Sequence, residues 1–262
     1  MFKISDFNTM KKLIVTLTSV LLFSASAIAI SSAPGDTNKT DTNGKKTGIW
    51  KEKLNQEDYY GTYSNDKKEG LWIGYYTNGI ISSIDEYKND KKNGYSISID
   101  KSGFYIQKDY YINDTLNGLC VAYYPGAKLR TEMEYKMGVL NGIKRIYYPD
   151  GKLQEDGKYS NGVRNGVTKW FFPEGQLSVE YIYINGNLEG SQKTYYRNGN
   201  LNSEVKNVNN FEEGEYHEYF ENGKLKFFGK YVHGKKEGPW KEFNEEGKVI
   251  LTENYKNGEL KK

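Results

Sequence analysis

The 262-residue chain has one cysteine, two histidines and five prolines. A single cysteine cannot close a disulfide within the chain, so no cystine scaffold holds this protein. The histidines, His217 and His233, fall in one segment, and His217-Glu218 lacks the second histidine that a zinc-protease helix requires. There is a single long apolar run, Leu13 to Phe23, which excludes a polytopic helical membrane protein. Aliphatic residues are few. Hydrophobic residues make up 37% of the chain, and 24 Tyr, 11 Phe and 4 Trp take a large part of that. A sheet covered by helices on both faces needs near-continuous Val, Ile and Leu strands, and this composition cannot supply them. The same aromatics argue against disorder. An excess of one charge sign is also missing: 37 Lys and Arg stand against 34 Asp and Glu, a net charge of +3.

The first 29 residues read as a secretory signal. Lys11 and Lys12 precede the apolar run, and Ala25-Ser26-Ala27 and Ala27-Ile28-Ala29 offer small-x-small cleavage sites after Ala27 or Ala29. The expected product is exported to a periplasm, a cell surface or the exterior. The alternative is an uncleaved anchor, since Leu13 to Ile30 is long enough to span a bilayer. Cleavage removes Lys3, Lys11, Lys12 and Asp6, a net loss of two positive charges that leaves +1. A chain this close to neutral has no overall attraction for nucleic acid or an anionic membrane. Residues 30–43, ISSAPGDTNKTDTN, read as a flexible linker.

What the chain has in quantity is glycine and tyrosine, and both are periodic. Gly70, Gly94, Gly118, Gly142, Gly166, Gly190, Gly214 and Gly238 recur every 24 residues, and Gly48 precedes them by 22. With each of these as offset zero, residues 44–262 divide into nine units. A second glycine falls at offset nine (Gly79, Gly103, Gly151, Gly175, Gly199, Gly223, Gly247) and a third at offset twenty (Gly138, Gly162, Gly186, Gly234, Gly258). Aromatic residues occupy offset five (Tyr75, Tyr123, Tyr147, Phe171, Tyr195, Tyr219) and offset six (Tyr76, Tyr124, Tyr148, Phe172, Tyr196, Phe220). A third row, at offset seventeen, runs through Tyr87, Tyr111, Tyr135, Tyr159, Tyr183, Tyr231 and Tyr255.

Each unit reads as two strands and two turns. One strand runs from the leading glycine to the aromatic pair, followed by a turn such as Pro-Asp-Gly151 or Glu-Asn-Gly223. The other carries Leu129, Leu153, Leu177, Leu201 or Leu225 at offset eleven and ends at the tyrosine of offset seventeen. The even spacing places those two side chains on one face. The leading glycines are expected to be structural turn glycines. The seventh unit departs most, with Asn207 for the tyrosine and Asn210 for the glycine, and a looser hairpin is expected there. No helical period competes, so the fold class is all-β, an elongated antiparallel meander of about nine tandem β-hairpins.

The unit resembles the MORN repeat, specifically its bacterial variant, in which a Y-x-N-G-K-x-x-G-x-W half is joined to a Y-Y-x-N-G-x-L half. The stretch Tyr231-Val-His-Gly234-Lys-Lys-Glu-Gly238-Pro-Trp240-Lys-Glu-Phe243 matches the first half. Tyr219-Phe-Glu-Asn-Gly223-Lys-Leu225 matches the second. The resemblance implies stacked hairpins and a scaffold role without chemistry. Bacterial relatives are often labelled antitoxin-like, which implies an antitoxin or immunity role toward a partner toxin. Some eukaryotic members suggest phospholipid binding.

No catalytic, metal or cofactor set emerges from the residues. Cys120 stands at offset two, where Trp50, Trp72 and Trp240 stand elsewhere, and reads as a packing residue. His217 occupies a variable strand position and His233 a solvated turn. Lys67-Lys68, Lys91-Lys92 and Lys235-Lys236 read as solvated, edge-protecting turns, or as a basic stripe. The candidate binding surface is the pair of aromatic rows at offsets five and six. Neighbouring strand residues point to opposite faces, so one row is expected to pack and the other to face a partner. That partner is expected to be another protein, with glycan or lipid as alternatives and no nucleic acid. The competing reading is that both rows only stack along the sheet. The function expected is an exported, non-enzymatic protein presenting an extended β-surface, in a scaffold or adhesion-like role.

Overall fold

A computed structural model describes residues 37–261. The expected signal segment 1–29, and residues 30–36 of the expected linker, lie outside the described residues. Among the described residues there are strands and turns and no helix. The chain forms two compact units, one ending at Lys128 and the other starting at Leu129. Within each, successive strands pair antiparallel with their neighbours in chain order, as in Lys67–Tyr75 with Ile81–Lys88, or Gly166–Phe171 with Leu177–Ile184. The all-β meander expected from the repeats is therefore present in both.

Residues Lys39–Thr40, inside the stretch read as a linker, form a strand. Lys39–Thr40 pairs with Thr47 and Lys46, and Asp41 Oδ1 accepts the backbone N–H groups of Asn43 and Lys45 at 2.8 and 2.9 Å. Asp41 thus supplies a side-chain turn that the polar composition of the segment concealed.

Two turn types alternate. The turn after the aromatic pair is five residues long: Tyr76 N donates to Ile80 O at 2.8 Å and Gly79 N to Tyr76 O at 2.9 Å. The same pair of bonds recurs at 100–104, 148–152, 172–176, 196–200, 220–224 and 244–248. This is a type I turn closed by a glycine in the left-handed region. The other turn has two central residues, both with positive φ, such as Asn89 and Asp90 at 51° and 68°. That geometry is type I′, and it selects Asn, Asp and Gly.

The seventh unit corrects one expectation. Asn209 and Asn210 have φ of 49° and 69°, like their counterparts, so this hairpin is as tight as the rest. Asn210 N donates to Leu188 O at 3.1 Å, and its Oδ1 accepts Leu188 N at 2.7 Å. Asparagine tolerates the left-handed conformation and adds a side-chain acceptor that glycine lacks.

The leading glycines are not turn residues. Gly70 lies inside strand Lys67–Tyr75 and Gly94 inside Lys91–Ile99, with φ of 69° and 131°. Opposite Gly70, the pairing passes from Tyr60↔Ile73 to Thr62↔Glu69, so three residues oppose one. The glycine absorbs this bulge, which a β-branched or aromatic residue could not do at positive φ.

A second irregularity reverses the expected side-chain parity. Gly74 pairs with Ser83 but Tyr75 with Ile81, leaving Ser82 as an extra residue. Ile81 packs with Ile73, Ile97 and Ile99, whereas Tyr87 meets Trp72 on the other face. Offsets eleven and seventeen therefore lie on opposite faces, because a bulge shifts a two-residue period by one.

The face bearing offset two is called the first face, and the one bearing offset three the second. On the first face Trp72 and Trp240 are 2% and 6% exposed. Each indole lies flat over a glycine backbone, Gly61 and Gly229, where no Cβ would fit. Tyr63 and Tyr231 meet these rings edge-on at 5.1 and 5.0 Å. On the second face, the unit ending at Lys128 buries Ile73, Ile81, Ile97 and Ile99.

Candidate functional site

The two aromatic rows differ in what they do. Tyr76, Tyr148 and Tyr196, at offset six, each donate a hydroxyl hydrogen bond of 2.8 Å to the backbone carbonyl of the offset-five residue in the next repeat: Ile99, Phe171 and Tyr219. A phenol is long enough to bridge two strands, and the carbonyl it meets lies beside a bulge where the ladder leaves acceptors free. At offset five, Tyr147 donates to Glu132 Oε2 at 2.6 Å and Tyr219 to Glu204 Oε1 at 3.3 Å, while Tyr75 meets Tyr60 edge-on at 5.8 Å. Burial, and then the Glu132 carboxylate, push the Tyr147 hydroxyl up to about 12. All twelve candidate aromatics are half-buried: Tyr75, Tyr76, Tyr123, Tyr124, Tyr147, Tyr148, Phe171, Phe172, Tyr195, Tyr196, Tyr219 and Phe220. Neither row stands fully out in solvent, so the division into one packed and one exposed row does not describe them.

The paired lysines also divide. Lys68, Lys92 and Lys236 turn onto the first face. Lys68 Nζ lies 3.8 Å above the Trp72 ring and 3.0 Å from Glu52 Oε2. Lys236 Nζ lies 4.3 Å above Trp240, and Lys92 Nζ lies 2.7 Å from Asp85 Oδ1. Arg164 takes the equivalent place among Tyr159, Trp170 and Tyr183, with Nη2 3.0 Å from the buried carboxylate of Glu155. These cations are internal partners of aromatic rings and carboxylates. Lys67, Lys91 and Lys235 stay exposed.

The glutamate at offset minus one, where it occurs, has its own task. Glu69 accepts Asn89 N, Glu213 accepts His233 N, and Glu237 accepts Asn257 N, at 2.9, 2.8 and 2.7 Å. Each closes the first N–H of the next repeat's tight turn. The recurrence of Glu at offset minus one was the available sequence signal.

Cys120 is buried, and burial pushes its thiol up to about 11, which leaves little thiolate at neutral pH. His233 sits exposed in its turn, and His217 packs on Phe228 with ring centres 5.1 Å apart. Among the described residues, no three His, Cys, Asp or Glu side chains gather as metal ligands.

The arrangement that sequence reasoning missed is on the second face from Leu129 onward. Direct cross-strand pairing links Glu132 to Arg145, Arg145 to Asp156, Asp156 to Lys169 and Lys169 to Glu180. It continues from Glu180 to Lys193, Lys193 to Glu204 and Glu204 to His217. From Glu132 to Glu204 the column alternates in sign at every strand. Ion pairs join Arg145 to Asp156 at 3.2 Å, Lys169 to Glu180 at 3.0 Å and Lys193 to Glu204 at 3.7 Å. The Arg145, Lys169 and Lys193 side chains remain 38%, 43% and 37% exposed, so the column faces solvent. In the preceding unit the equivalent column runs Lys51, Tyr60, Ile73, Ile84, Ile97, Lys108 and Val121, apolar at its centre and without alternation of sign. The signal lay at offsets three and fourteen, but only the strand register shows that these residues are neighbours.

No curated protein matches the chain. The MORN repeat variant matches it in five segments, residues 68–89, 140–161, 164–185, 188–210 and 236–257, so in sequence as in hairpin architecture the chain is similar to that repeat family.

Proposed function

We propose that this chain is an exported, non-enzymatic repeat protein whose second face is an extended binding surface for another protein. The observation that carries this reading is the contrast between the faces. The first face spends its tryptophans, tyrosines and cations on one another. The second face carries a solvent-facing column of alternating charge, flanked by half-buried aromatics of offset five. Alternating charge gives no net attraction to an anionic membrane or a polyanion, whereas a protein can match it charge by charge. Export rests on the signal-like pattern of residues 1–29.

The test is affinity capture from native cells with the purified protein and with a variant carrying Arg145→Ala, Lys169→Ala and Lys193→Ala. The reading expects one protein retained by the wild type and lost by the variant. Equal capture by both overturns it. N-terminal sequencing of protein recovered outside the cytoplasm tests export, and an intact Leu13–Phe23 run overturns the cleaved-signal reading.

A further inference from the structure

We propose that the charged column is also an interface between two copies of this chain related by a half-turn. This rests on the reading above and names one specific partner for the same surface. From Arg145 to Glu204 the column has six members: Arg145, Asp156, Lys169, Glu180, Lys193 and Glu204, on six successive paired strands. A half-turn about an axis parallel to the strands, placed between Lys169 and Glu180, reverses their order. Because the signs alternate strictly and the number is even, the reversed column is the complement of the original. Arg145 then faces Glu204 of the second copy, Asp156 faces Lys193, and Lys169 faces Glu180, each contact occurring twice. The interface is isologous, so one patch serves both sides.

The same alternation selects the register. Sliding one copy so that the axis passes through Glu180 sets Lys169 against Lys193 and Glu180 against its own equivalent, which repels. Facing sheets stand about 10 Å apart, a gap that lysine and glutamate side chains bridge end to end. Each intrachain pair then becomes part of a network of alternating charges, which is worth more than isolated surface pairs. Successive strands rotate by about 20°, so two facing sheets meet best near the axis. The Lys169 and Glu180 contacts therefore dominate.

Sedimentation velocity on the purified protein, over a concentration series at low salt and again at about 0.5 M salt, tests this. The expected result is self-association at low salt that weakens by about tenfold or more at high salt. Lys169→Glu and Glu180→Lys, taken singly, bring like charges together at the axis and should be monomeric. Mixed in equal amounts, they restore opposite charges at both central contacts and should associate with each other. The double variant K169E/E180K should self-associate like the wild type, and it tests the idea even if a single variant folds poorly by circular dichroism. A wild type that is monomeric throughout at low salt overturns the proposal. So does a folded single variant that associates like the wild type, or a mixture that associates no better than its components. If self-association fails while capture of another protein persists and depends on Lys169, the binding-surface reading stands and the self-pairing falls. If both fail, both fall.

Discussion

The indole of Trp72 rests on the backbone of Gly61, with the ring where a Cβ of residue 61 would be. Trp240 and Gly229 repeat the relationship 168 residues later in the chain. The wide aromatic of one strand thus depends on the empty side chain of its neighbour. Gly61→Ala should destabilise the unit that contains it by about 2–3 kcal/mol, because a nearly fully buried indole must shift. Urea unfolding followed by tryptophan fluorescence checks this. The expectation fails if the midpoint is unchanged.

The tie from Tyr148 to the Phe171 carbonyl predicts a cost of about 1 kcal/mol for Tyr148→Phe. The ring stays, so packing is preserved and only the inter-repeat bond is lost. Chemical denaturation measures the loss. Because repeats are stabilised by their neighbours, faster amide exchange should appear first at the 148–152 turn and in the strand ending at Phe171.

Asn210→Ala should cost about 1 kcal/mol or more, since alanine resists a φ of 69° and removes the acceptor for Leu188 N. Asn210→Gly should cost less, because only the side-chain bonds, from Leu188 N and to Asn187 Oδ1, are lost. Equal effects of the two substitutions, measured by thermal unfolding, would argue that the αL geometry carries no weight here.

Alkaline pH should unfold this protein through its tyrosines. Burial first, and Glu132 after it, hold Tyr147 at about 12; burial first, with nearby carboxylates after it, holds Tyr87 at about 12, against an ordinary value near 10. Burial and then Glu52 raise Tyr63 as well. Between these values the unfolded chain binds fewer protons than the folded one, so stability falls as pH rises. The contribution is intact below about pH 10 and is gone by about pH 12. Denaturant midpoints across that range, with phenolate absorbance in parallel, give the comparison. A flat profile would contradict the burial described for Tyr147 and Tyr87.

Much of the fold was legible in the sequence. Gly79 and its counterparts mark one turn, and Asn-Gly pairs such as Asn161-Gly162 the other. The positions of the strands followed from these. What the sequence concealed was parity. Ser82 is an ordinary residue, and nothing in its identity reveals that it is skipped in pairing, so Ile81 and Tyr87 were expected on one face. The candidate site was hidden for a related reason. Lys169 and Glu180 are eleven residues apart and become neighbours only once the register is known. The aromatic rows were visible, but not that Tyr76, Tyr148 and Tyr196 donate their hydroxyls to backbone carbonyls of the next repeat, because that depends on which strand end lies beside each ring.

The central claim is that binding uses the second face and leaves the first to hold the repeats together. Lysine reactivity, mapped by acetylation and mass spectrometry with and without the captured protein, tests it most directly. The account predicts protection of Lys169 and Lys193 with Lys67, Lys91 and Lys236 unchanged. Protection confined to Lys67, Lys88 and Lys91, with Lys169 and Lys193 reacting as before, would contradict it.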